Sequence, residues 1–182
     1  MKFSTIKEIY GANDLAREQL KNTITDLDDE ALNFMPADGG WSVANTVEHI
    51  AIVERGIMGI CVKLLSKAEA EGRQSDGSAN LSSSFIAKAK EMKDEKFNAP
   101  DRVQPTCKQS LRESVEVLDS TRKSLNELRK KFETVEGTDF TFPHPAFGEM
   151  TAHDWLFLIG AHEVRHTNQI KGILSEQNEA QD

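Results

Sequence analysis

In four long stretches of this chain apolar residues recur every three or four positions, while no stretch of useful length alternates apolar with polar residues. That period buries one stripe of a helix and leaves a sheet without a face to bury, so the chain is predicted to be all-α. The first helix is predicted over residues 4–27, with Ile6, Ile9, Tyr10, Leu20, Ile24 and Leu27 on one stripe. Ser42, following Trp41, is a good N-cap for the second, which runs through Val47, Ile50, Ile57, Cys61 and Leu65 until Gly72 stops it. The third covers residues 108–132. The fourth opens at Thr151, where Thr151 and Asp154 form a variant of the capping box, and passes Leu174 into a tail (SEQNEAQD) that reads as frayed.

Residues 73–107 separate the second and third helices, too many for a tight hairpin. A connection of that length can cross a bundle and let its flanking helices run parallel. Within it, residues 84–96 read either as a short extra helix or as a mobile surface loop. The 182 residues suit one domain, 1–182, with a sizeable core.

Lys and Arg number 22 against 30 Asp and Glu, a net charge of -8, and the basic run Arg129–Lys130–Lys131 is short and lies among acids. Phosphate neutralisation needs clustered cations, so no nucleic-acid partner is expected. No run of 18 apolar residues and no secretory signal is present, so a soluble, cytoplasmic protein without a membrane partner is expected. Cys61 and Cys107 are too few for a disulfide framework or a sulfur-based zinc site, and Cys61 reads as packing.

Histidine is the informative residue type. At about 100° per residue, Trp155, Ile159, His162, His166, Ile170 and Ile173 share one stripe of the fourth helix, so two imidazoles point at the core. A buried imidazole with unpaired nitrogens costs on the order of 1–3 kcal/mol. Two accounts meet the pattern: histidines satisfied by hydrogen bonds within the core, and a divalent metal reached by both rings at i and i+4. One helix cannot surround an ion, and His49, at the edge of the second helix's apolar stripe, is the best candidate for a third ligand, though its spacing equally fits an exposed or hydrogen-bonded structural histidine. His144 precedes Pro145 and reads as loop structure; His153, in the first turn of the fourth helix, is expected to face solvent.

Residues 162–166 spell HEVRH, which matches the zinc-peptidase pattern H-E-x-x-H. Its extended form would need a histidine where Gly172 stands, and no sheet precedes it to hold a peptide. Glu163 then reads as a group behind the ligands, a weak candidate base, or a solvated side chain. Asn13 and Arg17 in the first helix and Glu54 in the second occupy positions where the wheel asks for apolar residues. They read as an Arg17–Glu54 ion pair, or as a polar wall near the metal in which Arg17 grips a substrate carboxylate.

The order of W-S-x-x-x-x-x-x-H at Trp41 to His49, HPAFG at His144 to Gly148 and H-x-x-x-H at His162 and His166 resembles the DinB-like (DinB/YfiT) superfamily, over nearly the whole chain. The resemblance implies a four-helix bundle with a long connection between helices 2 and 3. It also implies a divalent metal, commonly zinc or nickel, on three histidines matching His49, His162 and His166, and frequent homodimers. For function it implies a metal-dependent enzyme that uses a low-molecular-weight thiol for S-transfer or isomerisation of a small-molecule substrate. Metal-assisted hydrolysis and a non-catalytic metal- or ligand-binding bundle are the alternatives.

Overall fold

In a computed structural model, residues 3–92 and 98–181 are described. Four long helices carry the fold: α1 (Ile6–Ile24), α3 (Val43–Ala70), α5 (Leu111–Thr134) and α6 (Ala152–Gln181). Two short helices, α2 (Asp29–Asn33) and α4 (Ser83–Glu91), lie in the connections, with a single 3-10 turn at Asp101–Val103. A hairpin of β1 (Thr141–His144) and β2 (Gly148–Thr151) precedes α6, paired from Thr141 opposite Thr151 to His144 opposite Gly148.

The helix ends lie where local chemistry puts them. Thr5 and Glu8 close a capping box on α1, and Ser110 and Glu113 close one on α5. Ser42 caps α3, whose far end is a Schellman turn: Gly72, at φ +70°, donates to the Glu69 carbonyl, and Arg73 donates to that of Ala68. Thr151 and Asp154 cap each other as expected, Asp154 N donating to Thr151 Oγ1 at 3.2 Å and Thr151 N to Asp154 Oδ2 at 3.0 Å.

Cross-contacts set the helix directions. Tyr10 reaches the Leu125 carbonyl and Arg17 that of Leu118, so α1 and α5 are antiparallel. Glu69 pairs with Lys131 while Ile50 and Leu118 share one apolar cluster, so α3 and α5 run parallel, as the long connection between them permits. One apolar cluster gathers Ile9, Tyr10, Leu65, Phe132 and Trp155; the other gathers Leu20, Val47, Ile50, Leu118 and Ile170. Between these two clusters each long helix buries at least one polar side chain, among them Asn13 and Arg17 on α1, Glu54 on α3, Arg122 on α5 and Glu163 on α6.

Three expectations need correction. The hairpin escaped the search for alternation because its strands are four residues long and one contains Pro143. The tail is not frayed at Leu174: α6 continues to Gln181 and buries Gln177. His153 does not face solvent; it is fully buried, because the connection after α3 folds over the start of α6 and Asn80 N donates to its Nδ1 at 3.3 Å. The short helix sought over 84–96 is present as Ser83–Glu91, and residues 93–97 lie outside the described residues.

Candidate metal centre

α3 and α6 run antiparallel and bring three imidazoles to one point. His49 Nε2 lies 3.2 Å from His162 Nε2, and His166 Nε2 lies 3.1 Å from the same atom. Metal bonds of ~2.0–2.1 Å at near-tetrahedral angles place ligand nitrogens about 3.1–3.4 Å apart, so these separations fit one shared ion. The remaining nitrogens are engaged behind the cluster. His49 Nδ1 meets the Val103 carbonyl at 2.7 Å, and His166 Nδ1 meets Gln169 Oε1 at 2.8 Å. With protons held on those Nδ1 atoms by acceptors, both Nε2 atoms present lone pairs to His162, which has at most one Nε2 proton to offer. Three nitrogens converging in this way ask for a cation.

Electrostatics keeps the set ready for one. Burial pushes the His166 imidazole down to about 4, with the neighbouring His49 adding to the effect. Burial and then the two neighbouring rings hold His162 well below the ordinary imidazole range, and burial lowers His49 against the hydrogen bond it donates to the Val103 carbonyl. All three rings are therefore neutral at pH 7, the form that binds metal. Trp41 lies against His49 with ring centres 4.7 Å apart, and His162 is the least buried of the three histidines. Among the described residues, these three histidines are the one group of His, Cys, Asp or Glu side chains close enough together to hold an ion.

The other candidates lie elsewhere. Glu163 is fully buried, and its two oxygens are taken by Arg17 (2.6 Å) and Arg122 (3.2 Å), so it does not turn to the imidazoles. Arg17 also pairs with Glu54 and donates to the Leu118 carbonyl, which engages its whole fork with protein groups. Asn13 donates to the Leu156 carbonyl at 2.9 Å, across the close approach of α1 and Gly160. His144 caps the hairpin turn, its Nδ1 accepting from Ala146 N and Phe147 N. Cys61 is buried, and burial pushes its thiol up to about 12, as befits packing.

Sequence reasoning missed the groups behind the three imidazoles. Val103 acts through its backbone, which no residue type announces. Gln169 stands three positions after His166, a spacing that identifies it in hindsight. Glu48, beside His49 and fully buried, accepts from Thr106 N, Thr106 Oγ1 and Cys107 N, and so ties the crossing connection down at the turn that carries the first imidazole.

Fold and site together define a four-helix bundle with a three-histidine cluster between two antiparallel helices. The chain belongs to the DinB superfamily, whose pattern it matches over residues 12–170. It is 27% identical over 164 residues to the uncharacterized protein YuaE of Bacillus subtilis (strain 168), covering 87% of this chain and 92% of that one. Among solved structures it resembles TT2238, described as a four-helix bundle protein, at a TM-score of 0.63 and 22% identity, over 92% of this chain and 99% of the other; that likeness bears on the fold alone. No helix among the described residues is long and apolar enough to cross a membrane.

Proposed function

We propose that this chain is a cytoplasmic, divalent-metal-dependent enzyme acting on a small molecule, with His49, His162 and His166 as its protein ligands. The observation that carries this reading is the convergence of three Nε2 atoms while the Nδ1 atoms of His49 and His166 are held by Val103 and Gln169. Bound zinc or nickel would supply an open coordination position able to hold a thiolate or to lower the pKa of water to about 7. The protein's share is orientation: the two rear acceptors fix the tautomer and ring direction of His49 and His166.

Thiol-dependent S-transfer or isomerisation with a low-molecular-weight thiol is favoured over hydrolysis. A hydrolase needs a base beside the nucleophilic water, and the carboxylate best placed in sequence, Glu163, is bound by two guanidiniums. Arg17, Glu54 and Asn13 are assigned to the framework behind the site rather than to substrate, because Arg17 is engaged by Glu54, Glu163 and the Leu118 carbonyl, and Asn13 by the Leu156 carbonyl.

The test is metal content followed by thiol titration. Purified protein is expected to bind one divalent ion per chain, and His162→Ala or His166→Ala to abolish stoichiometric binding, as measured by elemental analysis. Cobalt-loaded protein titrated with small thiols should develop a sulfur-to-cobalt charge-transfer band. Unchanged metal content in the double variant would overturn the centre itself. A loaded protein whose spectrum ignores every thiol would instead overturn the thiol chemistry and leave metal-assisted hydrolysis or a non-catalytic metal-binding bundle.

A further inference from the structure

Between the two apolar clusters the helices bury four charged side chains that the proposed chemistry does not use. Arg17 Nε donates to Glu163 Oε1 at 2.6 Å, Arg17 Nη2 pairs with Glu163 Oε1 and with Glu54, and Nη1 donates to the Leu118 carbonyl at 2.9 Å. Arg122 grips the other oxygen of Glu163 at 3.2 Å and reaches Asp14 at 3.3 Å. Such a lattice is a poor source of stability. Desolvating the charges offsets most of their attraction, and apolar replacements of similar volume are often as stable or more so. Its geometry suggests what it does instead. Glu163 directly follows His162 on α6, and Glu54 lies little more than a turn beyond His49 on α3. Among the described residues Glu54 is held by Arg17 alone, its Oε1 having no partner. One guanidinium thus holds a carboxylate from each of the two helices that bear the histidines.

We propose that Arg17 is a positioning residue for the metal centre: by gripping Glu54 and Glu163 together it sets the register of α3 against α6, and with it the meeting point of His49 with His162 and His166. The proposal rests on the metal-binding reading above. Apolar side chains tolerate small slides of one helix along another, whereas a planar fork holding two carboxylates does not. A slip of α3 by one residue is about 1.5 Å, comparable with the whole ~2.0–2.1 Å metal–nitrogen bond, and would carry His49 out of the shared shell.

The experiment compares cobalt binding and the cobalt d–d spectrum in the full chain carrying Arg17→Lys, Glu54→Gln or Arg122→Lys, with folding followed by circular dichroism. Lysine keeps the charge of Arg17 but cannot hold both carboxylates in a fork. Folded Arg17→Lys and Glu54→Gln proteins are expected to bind cobalt at least about tenfold more weakly with a shifted spectrum, the range found when groups behind metal ligands are lost. Arg122→Lys, whose side chain grips no residue of α3, should retain wild-type affinity and spectrum. Wild-type affinity and spectrum in Arg17→Lys would overturn the proposal, as would an equal loss in Arg122→Lys, which would signal general loosening. If neither Arg17→Lys nor Glu54→Gln folds, the lattice serves stability and the proposal fails. Wild-type protein that takes up no cobalt would remove the metal reading first, an outcome recognisable without any variant.

Discussion

Two of the three imidazoles are aimed by neighbours that are not themselves ligands, and this makes the centre testable one residue at a time. The acceptor behind His49 is a main-chain carbonyl and cannot be deleted by substitution; the one behind His166 is the Gln169 side chain. Gln169→Ala is expected to leave the fold intact and weaken metal binding by about tenfold, measured by calorimetric titration, because the ring loses the partner that fixes its tautomer. An unchanged affinity would show that packing alone orients His166. His162 and His166 were legible in the sequence as a pair for a simple reason. Imidazoles on an apolar helical stripe are conspicuous, and i, i+4 spacing places two of them together. Glu163 was not legible in the same way, since its partners Arg17 and Arg122 come from helices far away in the chain.

At the scale of elements, the packing of α1 on α6 is the tightest constraint. A Cβ on Gly160 would lie 2.3 Å from Asn13 Oδ1 and 3.2 Å from Asn13 Cα. In an ordinary helix interior Gly→Ala gains up to about 1 kcal/mol from propensity. Here the added methyl must either break the Asn13 bond to the Leu156 carbonyl or push the helices apart. Overpacking of this kind costs ~1–3 kcal/mol, so Gly160→Ala is expected to destabilise the protein, read as a lower urea midpoint. A raised midpoint would mean that α1 yields freely. Helix starts were legible because caps are local: Ser42, Thr151 and Asp154 act within four residues of themselves. The hairpin and the burial of His153 were not, because both depend on what the connections lay over the start of α6.

For the whole molecule the histidines decide the response to acid. All five are held below the ordinary imidazole value of 6.5, burial being the first cause in each case, with His144 and His166 down to about 4. From pH 6.5 downward the unfolded chain takes up protons that the folded chain refuses, so stability falls as the pH falls, by at most about 1.4 kcal/mol per pH unit for each proton. Glu163, pushed by burial from 4.5 to about 7, acts in the opposite sense, its contribution declining as the pH rises through that window. Five groups against one settle the sign. Metal-free protein is expected to lose stability continuously from about pH 6.5 to pH 4, followed by urea unfolding at successive pH values, and a flat profile would contradict the burial of these rings. Saturating metal should add stability above that window, about 2.7 kcal/mol at a free concentration one hundred times Kd, and lose its effect as the ligands protonate.

The sequence by itself determined the helical class, the starts of α3 and α6 and the pairing of His162 with His166, since periodicity, caps and residue type act over a few positions; His49 joined that pair only through the family resemblance. Tertiary structure alone decided that the rings of α3 and α6 meet at 3.1–3.2 Å, that Val103 and Gln169 stand behind them, and that Arg17, read from the sequence as a partner of Glu54, also holds Glu163. Those facts depend on the register between helices, and register is set by contacts between residues that no local pattern links.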